Sequence, residues 1–409
     1  MSEIYKAAKA VEDKIIENRR YLHQHPEVGF NLPNTSEYVK EALRVMGIDP
    51  KDCGFITPEA QEKSRALGVF NVERSTGVTA TIGNGGPCIL LRADMDALPM
   101  EENTDLDFRA TGSAAHTCGH AAHTAMLLGA ARILKERENE LKGTVKLMFQ
   151  PGEEMGYGAK TMVEDGLLEE PKVDAAMALH IMPDQEAGTF EYMKGIMSAS
   201  MDTWVVTIKG KGGHSSMPHK SVDPNMIATQ LYTALNLLPT READPQETVA
   251  LTVGKIAGGS APNIIPDTAG LQVGVRTYDK PTRNHMAQRI PELMDHYIKA
   301  WRGNYESTHF HTPSTFVDAE LTEELLPFVK EIAGEEKVIM RHRPMSGSED
   351  FGYVSEQVPG VFMFLGAGSV DSYSIHNPNM MLDESVLVLG SAALANAALK
   401  WLKKSETIV

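Results

Sequence analysis

Hydrophobic residues recur at helical spacing near the start of the chain, at Ala7, Val11, Ile15 and Tyr21, and again at Val39, Leu43 and Val45. Between these runs stands a polar break closed by proline, His23-Gln24-His25-Pro26-Glu27. The pattern then shortens. Val78 to Ile82 is strand-like and stops at the turn signal Gly83-Asn84-Gly85-Gly86. Cys88 to Leu91 is a short apolar run that reads as a buried strand, and Val145 to Phe149 and Ala175 to Leu179 read as two more. Ala125 to Glu136 has helical spacing. Strands alternating with helices predict an α/β fold on a mixed, largely parallel sheet.

Past residue 195 the texture changes. Trp204 to Ile208 alternates as a half-buried strand does, and Gly210-Lys211-Gly212-Gly213 makes a turn. A helix is predicted over Met226 to Leu238, strands over Thr248 to Ile256 and Gly270 to Arg276, and a helix over His285 to Trp301. The order β-α-β-β-α predicts a small α+β unit of ferredoxin type. From about Glu320 the α/β texture returns, with a strand at Val361 to Leu365 and a closing helix at Val386 to Leu402. The expectation is one domain built from residues 1–195 and 312–409, interrupted by an inserted domain of residues 196–311.

Composition narrows the function classes. The chain of 409 residues is 42% hydrophobic and 23% charged, as globular proteins are. A net charge of −16 weighs against nucleic acid and anionic membranes as partners. No stretch nears the ~20 apolar residues of a bilayer span, and the charged start Met1-Ser2-Glu3-Ile4-Tyr5-Lys6 lacks a secretory pattern. Three cysteines make a disulfide scaffold improbable and fit a reducing, cytoplasmic location.

The chemistry concentrates at the ends of predicted strands. His116-Thr117-Cys118-Gly119-His120-Ala121-Ala122-His123-Thr124 crowds three histidines and a cysteine before a helix. Thiolate and imidazole suit zinc-like ions, and Gly119 permits a turn that aims Cys118 and His120 at one point. The bland alternative is a buried cysteine beside a helix cap. Gln150-Pro151-Gly152-Glu153-Glu154 places two acids after a strand, where α/β enzymes build sites. Solvated acids at a helix start are the alternative. Asp94-Met95-Asp96 either orients a ligating histidine from behind or caps a turn. His180 and His376 each follow predicted strands. Brought to one sheet edge, Cys118, His120, Glu154, His180 and His376 exceed the needs of one tetrahedral ion, so two metals are expected.

At this point the sequence resembles a known family, the dinuclear-metal hydrolases that include aminoacylases, hippurate hydrolases and auxin-conjugate hydrolases. The shared segments are Arg19 to Glu27, Leu91 to Pro99, Cys118-Gly119-His120, Gln150 to Glu154, Ala178-Leu179-His180, Gly210 to His214, Asn263 to Pro266, Ser348 to Phe351 and Ile375 to Pro378. They span nearly the whole chain. The resemblance implies two divalent metal ions per subunit held by Cys118, His120, Glu154, His180 and His376. Zinc or manganese is expected first, with cobalt or nickel as alternatives. It implies Glu153 as the proton-transferring base, His214 as a stabiliser of the reacting oxygen, often across a dimer, and Asn263 and Arg276 as substrate contacts. Asp94 and Asp96 stand behind the ligands. For His214 a plain surface loop is the competing reading.

The sequence also departs from the family. Ala121 replaces the usual Asp after Cys-Gly-His, and Gly152 stands where Ala is common. The segment from about Phe55 to Glu73 is longer than usual and is expected to rim the substrate pocket. The implied activity is hydrolysis of N-acyl amino acids or related small amides by a homodimer. An exopeptidase cleaving free dipeptides or C-terminal residues is the nearest rival. A non-catalytic metal-binding scaffold is the alternative of another class.

Overall fold

The computed structural model describes residues 2–66 and 75–405. Within them, eight strands form one twisted sheet. In spatial order they are Lys51–Cys53, Gly77–Gly83, Thr144–Gln150, Cys88–Asp94, Ala175–Glu186, Gly360–Gly368, Phe190–Tyr192 and Val338–Met340. The four from Thr144–Gln150 to Gly360–Gly368 run parallel. Their neighbours Gly77–Gly83 and Phe190–Tyr192 run antiparallel to them.

Side-chain alternation assigns the two faces. Ile89 and Leu91 pack into a core with helices His120–Glu136, Ala319–Ala333 and Val386–Ser405. Cys88 and Leu90 point the other way, toward helix Gly158–Glu164 and Phe351. Every residue of Cys88–Asp94 and Thr144–Gln150 is buried, as a central parallel strand covered on both faces requires. Helix Val386–Lys404 corrects one expectation, because its length and apolarity match a membrane span. It serves instead as a core helix, with 83% of its apolar window buried in the protein.

Residues 201–312 build a second, four-stranded antiparallel sheet in the order Val249–Gly258, Thr268–Thr277, Met201–Lys209, Asn304–Thr312. Helices Pro224–Glu242 and Lys280–Ala300 pack on it around Trp204, Leu231, Leu271 and Ile290. The chain order is β-α-β-β-α-β, one strand more than the sequence pattern predicts. That fourth strand, Asn304–Thr312, reads Asn-Tyr-Glu-Ser-Thr-His-Phe-His-Thr and carries little apolar signal.

Candidate metal centre

The polar groups converge where the parallel strands end. Gly119 adopts φ 93°, and a Cβ there would lie 2.5 Å from Ile181. Only glycine lets the chain swing Cys118 back beneath the start of helix His120–Glu136. After strand Thr144–Gln150 the chain turns through Gly152, at φ 68°, into Glu153 and Glu154. Asp96 shapes this turn, its Oδ1 accepting the Glu153 N–H at 3.0 Å and its Oδ2 the Glu154 N–H at 3.1 Å.

His180 lies inside the long strand Ala175–Glu186, not after its end as expected. Pairing with Cys88–Asp94 stops at Ala178, so that side of His180 is open. Its Nδ1–H donates to the Ile181 carbonyl at 2.7 Å, which leaves the Nε2 lone pair facing Cys118 Sγ at 3.5 Å. His376 likewise does not directly follow a strand. It sits in the loop between Gly368 and Val386 at φ 62°, an uncommon conformation for a side-chain-bearing residue, and its N–H is held by the Thr117 carbonyl at 2.8 Å. From there Nε2 lies 3.3 Å from Cys118 Sγ and 3.2 Å from Glu154 Oε1.

Of the groups of donor atoms that result, two contain the cysteine. Cys118, His120 and His180 lie within 4.8 Å of one another, and so do Cys118, Glu154 and His376. The sets share the cysteine and together use the five expected residues. Both ring nitrogens of His120 and Glu154 Oε1 are buried and accept or donate no hydrogen bond among the described residues. Buried polar atoms are otherwise nearly always paired, and a cation would satisfy these. Charge points the same way. Burial pushes the Cys118 thiol well above its usual range, and Glu154, Glu153 and Asp94 push it further. Burial alone would lower His120, but Asp94, Asp96 and Glu154 outweigh it and raise it to about 10. The pocket carries an excess of negative charge that divalent ions would offset, so the donor set fits such ions.

Behind the donors, Asp94 Oδ1 accepts from His123 Nδ1 at 2.6 Å, while His123 Nε2 accepts the Ile181 N–H at 2.9 Å. Asp94 thereby reaches the His180 strand through His123. Asp96 Oδ1 lies 3.4 Å from His120 Nδ1. Glu153 Oε2 is 3.8 Å from His120 Nε2. Burial raises the Glu153 carboxyl well above the usual carboxylate range, and Glu349, Glu154, Asp350 and Asp94 add to it.

A cavity of about 240 Å³ opens over this cluster, lined in part by Cys118, Glu153, His180, Arg276, Glu349 and His376. Arg276 donates to the Ser346 carbonyl at 3.3 Å and to Met201 Sδ at 3.6 Å, with no acidic partner among the described residues. His214 and Asn263 do not line this cavity. They sit together on an exposed part of residues 201–312, where His214 pairs with Ile264 and the Ser215 N–H donates to the Asn263 carbonyl at 3.1 Å. The described part of the long segment contains helix Pro58–Ala66, which touches Lys160 and Thr308 and does not line the cavity. Residues 67–73 lie outside the described residues.

Sequence reasoning misses a buried group beside Glu153. Arg92, Gln150, Glu349 and Asp350 form one hydrogen-bonded network at the strand ends. An arginine inside an otherwise apolar strand was the available signal.

Comparison with known proteins places this geometry. The chain is 37% identical over 402 residues to an N-acetyl-L-cysteine deacetylase of Bacillus subtilis, covering 97% of this chain and 90% of that protein. It is 33% identical over 410 residues to thermostable carboxypeptidase 1 of Saccharolobus solfataricus, covering 97% of each. A solved Bacillus subtilis structure, described as a dinuclear metal binding peptidase from the M20 family, superposes with a TM-score of 0.74 at 30% identity, covering 97% of this chain and 99% of the other. Residues 90–400 match the profile of peptidase family M20/M25/M40. The chain belongs to that family and is a metal-dependent hydrolase of amide bonds.

Proposed function

We propose that the protein removes the acyl group from N-acyl amino acids, with two cations held by Cys118, His120 and His180 on one side and by Cys118, Glu154 and His376 on the other. The observation that carries this reading is the pair of donor sets sharing one thiol, with Glu153 beside them and an unneutralised Arg276 in the same cavity. Zinc or manganese suits the mixed Cys, His and carboxylate set, with cobalt or nickel as alternatives. Bound there, the cations would supply positive charge that lets water ionise near neutral pH and polarises a carbonyl.

The remaining steps belong to the chain. Glu153 takes a proton from the attacking water and returns it to the departing nitrogen, so one water adds across the amide and an acid and an amine leave. Arg276 pairs with the carboxylate of the amino-acid half, for which its planar guanidinium is suited. His214 donates to the oxyanion and Asn263 to the substrate amide, both contributed by a second copy of the chain. Their position away from the cavity of their own chain supports that arrangement. In this reading residues 196–311 are a lid and dimerisation domain. The outer edge of strand Val249–Gly258, unpaired among the described residues, is one place where two copies could join. Three free buried cysteines and the net charge of −16 support a cytoplasmic location and a small-molecule substrate.

A second reading, a carboxypeptidase, is favoured by the archaeal relative, and Arg276 would serve it equally well. A panel of N-acetyl, N-benzoyl and long-chain acyl amino acids against free dipeptides and longer peptides separates the two. Turnover of the acyl series supports the proposal; cleavage confined to peptides reverses the order.

A further inference from the structure

Arg92 is wholly buried at the end of strand Cys88–Asp94. Its Nε donates to Gln150 Oε1 at 2.8 Å and its Nη2 to Asp350 Oδ1 at 3.3 Å. Glu349 takes both ends of the fork, Oε1 from Nη2 at 2.8 Å and Oε2 from Nη1 at 3.3 Å. Asp94 Oδ2 completes the ring, 2.9 Å from Nη1. Among the described residues, Glu349 is the one carboxylate that bridges both Nη atoms, and the Phe351 N–H fixes its Oε1 at 2.9 Å.

On its far side Glu349 meets Glu153. Carboxylate oxygens of Glu153, Glu349 and Asp350 lie within 4.8 Å of one another, and Glu153 and Glu349 line the same cavity. A buried guanidinium has five N–H donors and binds carboxylates in bidentate fashion. Glu153 is the nearby acid that Arg92 does not hold. Were Glu349 uncharged, Glu153 could swing to Arg92, and a base locked in a buried ion pair can no longer face the reacting water.

We propose that Glu349 is a positioning residue for the hydrolysis: by bridging both Nη atoms of Arg92 it keeps that cation from capturing Glu153 and leaves the Glu153 carboxylate facing His120 and the cavity. The inference rests on Glu153 being the base. It assigns a task to a residue 257 positions from Arg92 in the chain.

The test uses Glu349→Gln, Glu153→Gln and the double variant Arg92→Gln/Glu349→Gln, each metal-loaded, with metal content, folding by circular dichroism, kcat and KM measured. Glu349→Gln is expected to keep its metal and its KM within about threefold while kcat falls about 10–100-fold, the scale of a misplaced catalytic group. Removing the cation as well is expected to restore kcat at least about fivefold over Glu349→Gln, because nothing is left to capture Glu153. A purely structural role predicts the opposite, a double variant worse than the single. An unchanged kcat in Glu349→Gln, a loss that tracks lost metal, or a double variant without recovery overturns the inference. Should the double variant not fold, the kcat and KM values of Glu349→Gln at full metal content decide. An active, metal-replete Glu153→Gln would instead remove the base assignment itself. An inert Glu153→Gln beside a fully active Glu349→Gln sinks this inference alone.

Discussion

Cys118 Sγ lies 3.3 Å from His376 Nε2, although 258 positions separate the two residues. His376 reaches that distance only from a left-handed backbone tied to Thr117, next to Cys118 itself. The cysteine belongs to both donor sets, so its loss should be felt by both. Cys118→Ala is expected to drop the metal content below two ions per chain and to remove activity. Elemental analysis checks this, and unchanged stoichiometry would take Cys118 out of the ligand set.

Glu153 donates nothing to the shared-cysteine sets. Glu153→Gln should therefore keep its metal while kcat falls by about 10²–10⁴, the usual worth of general acid–base catalysis. Steady-state kinetics beside metal analysis on one preparation is the measurement. Substantial turnover at full metal content contradicts the assigned role.

His214 and Asn263 stand apart from the cavity of their own chain. If a second copy supplies them, His214→Ala and Glu153→Gln should each be inert alone yet regain activity when co-expressed, since one mixed dimer carries one intact site. Absence of recovery, with mixed dimers shown by mass, would refute the cross-subunit reading.

Gly152 adopts φ 68°, and a Cβ there would lie 2.5 Å from the buried Phe30 ring. Gly152→Ala is expected to cost about 1–3 kcal/mol, from the left-handed backbone and the displaced ring together. Urea melts measure it. Equal midpoints for the variant and the parent would show that Phe30 yields freely.

Asp202 is a buried carboxylate of the second sheet. Burial raises it, but His309, His311 and Arg283 outweigh burial and hold it below the usual carboxylate range. Arg283 Nη2 approaches at 2.6 Å and His309 Nε2 at 2.7 Å. A lowered folded-state value means the charged form is favoured by folding. That contribution is complete above the unfolded carboxylate value, near pH ~4, and is lost as pH falls through the lower folded value. Asp202→Asn should cost about 3–5 kcal/mol at pH 6, and the gap to the parent should shrink below pH ~4. Urea melts across pH 3–7 test this, and a gap that widens in acid would contradict the sign.

The sequence was most legible where one side chain had one neighbourhood. Short continuous apolar runs located the central strands and period-3.6 patterns the helices, because a strand such as Cys88–Asp94 packs against apolar cover on both faces. The five proposed metal donors stood out as Cys, His and Glu in otherwise apolar or glycine-rich surroundings. Strand Asn304–Thr312 was missed because its polar residues face outward at a sheet edge, and its pairing with Met201–Lys209 is written in backbone hydrogen bonds. His376 was expected at a strand end, but a loop that folds back on Thr117 carries it. The Arg92 network was illegible for a different reason. Its meaning lies in which acids surround the guanidinium, and besides Asp94 those come from residues 349 and 350.

That distance along the chain has a consequence for synthesis. A ribosome delivers Arg92, Cys118 and Glu153 long before it delivers Glu349, strand Gly360–Gly368 and His376. Until then the nascent protein holds an arginine with Asp94 but without Glu349 and Asp350, and a sheet lacking the strand that seats beside Ala175–Glu186. The proposed hydrolytic centre therefore stays incomplete until His376 has been added, and before that point the growing chain has no finished site with which to attack amides.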